Sequence, residues 1–327
     1  MHGIIEEERN CKLERVLVDT QNGARLIGDR FGSRKNPRGI LLFPGFSEHR
    51  SSLYALAGYL APYFQVWVFD INQQGESSGH FEPIEVGQSI SFIANAFRAR
   101  YSLEKLGGFG NSLGGMGMVV AAAEDPGCLD ALCISTMPPS VYEFGPEVIR
   151  FLLKSDRARN IIKHTPTGLV RSAMIAMDIV LAEINPNYRV KTHAQFKPQP
   201  GLTGWQPYAQ FGALKIDDFK DFVERLGAAP RMEEYVARLS KPTLWIYGGE
   251  AHHNDVVHYE LPDNIKEMLK SAPGEEQRQP KIVPGADHSL NKKTGFDDCF
   301  NQDPEYQWVK EKISEFFYKT LIEESTK

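Results

Sequence analysis

Short runs of β-branched and aromatic residues alternate with segments of helical periodicity through most of this chain. That alternation restricts its fold more than any other feature. Candidate strands are 13–19 (LERVLVD), 24–31 (ARLIGDRF), 39–45 (GILLFPG), 65–70 (QVWVFD), 106–111 (LGGFGN), 130–136 (DALCIST), 242–248 (PTLWIYG) and 280–285 (PKIVPG). Several are almost continuously apolar, as strands are when both faces of their sheet are covered. Helical patterns fall near 51–62, 86–101, 113–125, 256–270 and 304–322. The last has Pro304 near its start and sets Trp308, Val309, Ile313, Phe316, Phe317 and Leu321 close to helical spacing. The pattern predicts an α/β fold: a mostly parallel, eight-stranded sheet flanked by helices.

The alternation stops between about 137 and 240. Helical stretches at 141–155, 168–184, 219–226 and 231–239 stand there instead, with a loop rich in Pro, Gly and aromatic residues at 197–212. An ordinary crossover is far shorter. The expectation is therefore a core made of 1–136 and 241–327, with 137–240 inserted as a helical cap. Phe196, Trp205, Tyr208 and Phe211 either line a pocket under that cap or fill its own interior. The segment Met174 to Leu181 is apolar almost all round, which suits burial between cap and core and allows weak contact with a membrane surface.

Composition narrows the partners. The 327 residues carry 37 Lys+Arg against 42 Asp+Glu, a net charge of −5, so no basic excess exists to neutralise nucleic-acid phosphates. No run approaches the roughly 18 apolar residues of a membrane span. The first ten residues, MHGIIEEERN, are acidic where a secretion signal is basic and then apolar. Cys11, Cys128, Cys133 and Cys299 are scattered and form no CxxC, which points to a reducing, cytoplasmic setting.

Chemistry concentrates at Gly110-Asn111-Ser112-Leu113-Gly114-Gly115, which closes an apolar strand and opens an Ala/Val/Met-rich helix. A GxSxG in that context is a nucleophile elbow: the serine sits on a strained turn and the glycines remove side chains that would collide. Gly115 and Gly117 are expected to let the helix pack closely on the sheet. A serine hydroxyl needs a base, and His288 follows the last strand in Pro284-Gly285-Ala286-Asp287-His288. An acid after the penultimate strand would orient the imidazole. Asp255 and Glu250 both qualify; Asp255, just ahead of Val256 and Val257, is preferred. Oxyanion donors are expected from the backbone N–H of Leu113 and, in the turn after the third strand, of Phe46. Phe46, Asn111, Trp205, Tyr208 and Phe211 are candidate substrate contacts. His252, His253, Asp255 and His258 form no metal-binding pattern such as HExxH, so neither a metal nor another cofactor is expected.

These motifs resemble the α/β-hydrolases, and within them the monoacylglycerol lipase and lysophospholipase group. That group has an HG-x-x-EH oxyanion loop; here Pro44-Gly45-Phe46-Ser47-Glu48-His49 matches it with Pro in place of the leading His. An Asp ending a strand before a glycine turn matches Asp70 through Gly75, Ser77 and Gly79. The group's GHSMGG elbow reads GNSLGG here. The resemblance covers about 10–136 and 240–320. It implies a serine hydrolase acting on small-molecule acyl esters, monoacylglycerol or lysophospholipid in kind, without a cofactor. Asp255→Asn is expected to lower kcat by orders of magnitude while Glu250→Gln changes it little, as steady-state kinetics on an ester substrate will show; the reverse result moves the acid to Glu250.

Overall fold

The computed structural model describes residues 14–45, 48–80, 82–139, 231–248, 262–275, 278–283, 290 and 304–323. Among them all eight expected strands form: β1 (Glu14–Asp19), β2 (Arg25–Phe31), β3 (Arg38–Phe43), β4 (Gln65–Phe69), β5 (Lys105–Asn111), β6 (Ala131–Ser135), β7 (Thr243–Gly248) and β8 (Lys281–Val283). They make one sheet in the order β1-β2-β4-β3-β5-β6-β7-β8. From β4 to β8 every pairing is parallel, while β1 pairs β2 and β2 pairs β4 antiparallel. The helices are α1 (Tyr54–Leu60), α2 (Pro83–Arg100), α3 (Leu113–Glu124), α4 (Glu233–Val236), α5 (Pro262–Lys270) and α6 (Pro304–Leu321). A 3-10 turn at Arg50–Leu53 leads into α1.

Strand alternation sorts the core onto the two faces of the sheet. Leu41, Phe43, Trp67 and Phe69 join the apolar faces of α2, α3 and α5 in one cluster. Ile40, Leu42, Val66 and Val68 join those of α1 and α6 in the other. Helix α3 is buried on all sides from Leu113 to Ala123, as its uniform hydrophobicity requires. Its glycines divide their work. A Cβ on Gly115 would press on Ile134 of the sheet, at 3.0 Å from Cγ2. Gly117, expected to face the sheet, instead faces α2, where a Cβ would overlap Val86; Gly87 of α2 meets Val120 in the same way. The two helices therefore cross at glycine-to-side-chain contact.

The two described ends of the 137–240 segment meet on the core. Met232 N–H donates to Pro139 O at 2.9 Å, and Met232, Val236 and Leu239 are buried in the cluster that contains α3. The expected helices at 141–155, 168–184 and 219–226 lie outside the described residues. Cys128 and Cys133 are buried free thiols; burial pushes both upward, Cys128 to about 12.

A buried ionic star fixes the segment that leaves β3. Arg50 sits among Asp29 of β2, Asp70 at the end of β4, and Glu76. Its Nη1 donates to Asp70 Oδ2 at 2.6 Å, its Nη2 to Glu76 Oε2 at 2.7 Å and its own N–H to Asp70 Oδ1 at 2.7 Å; Nε bonds Asp29. Asp70 also accepts Glu76 N–H at 2.9 Å and lies where a side chain on Gly75 would be, so the turn after β4 is wrapped around this carboxylate. Arg50→Ala leaves the Asp29 and Asp70 carboxylates buried without their cation, and urea denaturation should show a loss of about 3–5 kcal/mol.

Candidate active site

The carboxyl ends of β3, β5 and β6 meet at Ser112. In open parallel sheets this edge is where ligands bind. Ser112 has φ 49° and ψ −113°, a left-handed backbone uncommon for any residue with a Cβ. Such a conformation is strained by about 1–3 kcal/mol and persists only where its surroundings hold it. Here Ser112 N–H donates to Ser135 O at 2.8 Å, and Ser112 O accepts Met116 N–H at 3.0 Å. The turn is thus pinned to β6 on one side and α3 on the other. The Ser112 side chain makes no capping bond to α3.

The flanking glycines are required sterically. A Cβ on Gly110 would overlap the Gly114 carbonyl and stand 2.5 Å from Gly115 N; one on Gly114 would overlap the carbonyls of Phe43 and Pro44. All of these contacts are backbone, which cannot yield locally. Gly114 N–H donates to Pro44 O at 3.1 Å, tying the start of α3 to the turn after β3. As the first residue of α3, Leu113 has an N–H with no acceptor inside the helix, at the positive end of the helix dipole.

Around this turn lies a polar cluster. Asn111 is buried, and its amide is committed: Thr136 Oγ1 donates to Oδ1 at 2.8 Å, and Nδ2 points at Glu48 Oε1 and Oε2 at 3.3 and 3.4 Å. Glu48 Oε2 accepts Gly45 N–H at 2.8 Å and the Ser52 hydroxyl at 3.4 Å. Burial pushes the Glu48 carboxyl above its usual range, against the lowering effect of the bonds from Gly45, Asn111 and Ser52. Thr136 itself has φ 46° and donates its N–H to Ile246 O of β7 at 2.8 Å. Sequence reading gives Glu48 only a place in a motif and Thr136 only the end of a strand. Its spacing three residues behind Gly45, the reach over which a carboxylate folds back on a main-chain N–H, is the local signal for Glu48. Thr136 has none.

Of the expected site residues, Asn111, Ser112 and Leu113 are brought together with Pro44 and Gly45. Phe46, Trp205, Tyr208, Phe211, Glu250, Asp255 and His288 lie outside the described residues. One cluster among the described residues has the donors for a metal ion: His49, Asp70 and Glu76 each offer an atom within 4.8 Å of the others. The Arg50 guanidinium already bonds both carboxylates there and lies 3.0 Å from His49 Nε2, so a cation is in place. Burial also lowers the pKa of His49. No described helix is long and apolar enough to cross a membrane.

A sheet of this order, with a strained serine between a central strand and a buried helix, defines an α/β-hydrolase. A family model described as alpha/beta hydrolase fold matches residues 39–292, and the chain belongs to that family. No curated protein matches the sequence. Among solved structures the chain is similar to a putative lipase from Acinetobacter baumannii (17% identity over 99% of this chain and 96% of that one, TM-score 0.60). It is also similar to a thermophilic esterase from Thermogutta terrifontis with malate bound (18%, 94% and 99%, TM-score 0.56). A third is E-2-(acetamidomethylene)succinate hydrolase (17%, 94% and 99%, TM-score 0.58). At these identities the likeness shows the fold.

The steric account of the elbow separates two substitutions. Gly110→Ala should destabilise the protein by about 1–3 kcal/mol or prevent folding, because backbone must move. Gly58→Ala, in α1 with nothing within 4 Å of the added methyl, should stabilise it by about 0.5–1 kcal/mol. Parallel thermal melts check both.

Proposed function

We propose that this protein is a serine hydrolase of carboxylic acyl esters working through a covalent acyl-enzyme. One observation carries the reading: Ser112 holds a strained left-handed backbone between a central strand and the N-terminus of a buried helix. Family membership and hydrolase neighbours support it.

In this reading Ser112 Oγ attacks the ester carbonyl. His288 takes the serine proton and returns it to the leaving alcohol, and Asp255 orients His288 and stabilises its charged form. The oxyanion is received by the N–H groups of Leu113 and Phe46, aided by the positive end of the α3 dipole. Water deprotonated by His288 then attacks the acyl carbonyl and releases the acid. No cofactor takes part. The 137–240 segment covers the site as a cap, with Trp205, Tyr208 and Phe211 against the acyl chain. The resemblance to monoacylglycerol lipases and lysophospholipases makes a monoacyl ester of glycerol or phosphoglycerol the substrate class, in a cytoplasmic setting. Lactones and thioesters present the same electrophile to the same groups.

A fluorophosphonate probe tests the nucleophile. The native protein should label and Ser112→Ala should not; failure of the native protein to label overturns the reading. A panel of p-nitrophenyl esters of increasing chain length tests the substrate class, and labelling without turnover on any ester removes the ester assignment while keeping the nucleophile.

A further inference from the structure

The polar cluster behind Ser112 holds more than the nucleophile reading uses. Four residues from three separate elements converge on one carboxylate. Gly45 and Ser52 come from the segment after β3, Asn111 from the end of β5, and Thr136, through Asn111, from the end of β6. Their order is directional. The Thr136 hydroxyl donates to Asn111 Oδ1, which leaves the Asn111 amide nitrogen to face Glu48, a pure acceptor when ionised. Glu48 in turn accepts the Gly45 N–H. The chain of bonds therefore starts at β6, passes the residue next to the nucleophile, and ends on the main chain of the turn that leads to Phe46. The gap it spans is closed sterically as well: a Cβ on Gly45 would be 3.1 Å from Asn111 Nδ2 and 3.2 Å from Glu48 Cδ.

We infer that Glu48, Asn111 and Thr136 form a positioning clamp that sets the distance between the Ser112 turn and the Pro44-Gly45 turn after β3, which precedes in sequence the proposed oxyanion donor Phe46. The inference rests on the serine-hydrolase reading above. An oxyanion donor acts only within a narrow distance of the charge it meets, and a displacement of about 1 Å can lower the rate roughly 100-fold. Two turns on different strands keep such a distance only if something rigid joins them. A stabilising role alone does not explain the carboxylate. Burial pushes its pKa up, so the folded state holds the proton more tightly than the unfolded one. Stability then falls as pH rises from the unfolded value through the folded value, and at alkaline pH ionised Glu48 works against folding. An acid whose charge burial disfavours, yet which bonds two turns of the site, is placed for the site.

The test exchanges polarity across the clamp. In Glu48→Gln the amide oxygen keeps the place of Oε2 against the Gly45 N–H, and the new NH2 takes the place of Oε1, donor against the Asn111 amide. In Asn111→Asp two carboxylates face each other. In the double variant the bond returns with donor and acceptor reversed, and Thr136 still has an acceptor. Each is measured by fluorophosphonate labelling rate, by kcat and KM on a p-nitrophenyl ester, and by melting at pH 8. Glu48→Gln should lower kcat and labelling rate about 30- to 100-fold with KM within about threefold. Its melting temperature should stay within about 4 °C of the native protein. The double variant should recover at least about tenfold of the loss in the worse single variant. Thr136→Ala against Thr136→Ser supplies the same comparison by hydroxyl alone, should Asn111→Asp not fold: the alanine variant should slow labelling about fivefold or more and the serine variant should restore it. Glu48→Gln or Thr136→Ala reacting at the native rate overturns the clamp while the native protein's labelling upholds the hydrolase. Rates that fall only in step with melting temperature, without rescue, overturn it too. A native protein that does not label overturns both.

Discussion

A serine with a left-handed backbone at the end of a central strand cannot exist in isolation. The surrounding structure must supply about 1–3 kcal/mol to hold it, and the way this chain does so determines much of its architecture. The Ser112 N–H is bound by β6 and its carbonyl by α3. The helix start must come so close to β5 and to the turn after β3 that Gly110 and Gly114 have no room for a Cβ. Once α3 is seated there, it is buried on every side. Its packing partner α2 must then approach through Gly87 and Gly117. The conformation of one residue thus propagates through two helices and three strands.

The same edge of the sheet gathers many of the buried polar groups. Asp70, Asn72, Gln74 and Ser77 follow β4; Asn111 and Ser112 end β5; Ser135 and Thr136 end β6; Glu48 and Arg50 follow β3. The strand interiors below them are apolar. Burial of this many polar and charged groups opposes folding unless they are paired. Asp70 and Arg50 are paired in the Arg50 star, and Glu48, Asn111 and Thr136 in the Glu48 cluster; Asn72 bonds Ser89, and Ser77 bonds the main chain of Ile27 and Asp70. The two groups stand two residues apart and tie the segment between β3 and α1 to two different neighbours. One holds it to the turn after β4 and the other to the elbow after β5. Some atoms stay unpaired, including Ser135 Oγ and both amide atoms of Gln74. Orphaned buried groups of this kind are tolerated where a structure serves chemistry as well as stability.

How much of this the sequence discloses depends on the range of the interaction. All eight strands were legible as apolar runs, because burial on both faces leaves a local mark. So was the GxSxG turn, where steric exclusion acts over four residues. The antiparallel pairing of β2 with β4 and the placing of β4 between β2 and β3 were not legible, since strand order is decided by contacts distant in sequence. Gly117 was assigned to the sheet on sequence and proves to face α2; one turn of helix cannot reveal which neighbour stands opposite. The acid, the base and the cap residues remain readings of sequence. Their assignment rests on chain order and resemblance.

Glu48 and Thr136 mark the limit of local reading most clearly. Each is an ordinary polar residue in a loop or at a strand end, and only the fold brings 48, 111 and 136 together. What unites them is a difference in what each bond restrains. The bonds at Ser112 itself hold the proposed nucleophile against β6 and α3, and neither of them reaches the turn after β3. The Gly114 N–H to Pro44 O bond restrains that turn at its first residue. The Glu48 carboxyl restrains it at the next, Gly45, by accepting its N–H at 2.8 Å in a buried setting where hydrogen bonds are strong. A nucleophile and an oxyanion donor on separate strands need both restraints before the electrostatic field between them is fixed ahead of reaction. Preorganisation of that kind is where a rigid hydrolase gains most of its rate. In the proposed clamp the buried acid beside the elbow is a part of the distance between two turns.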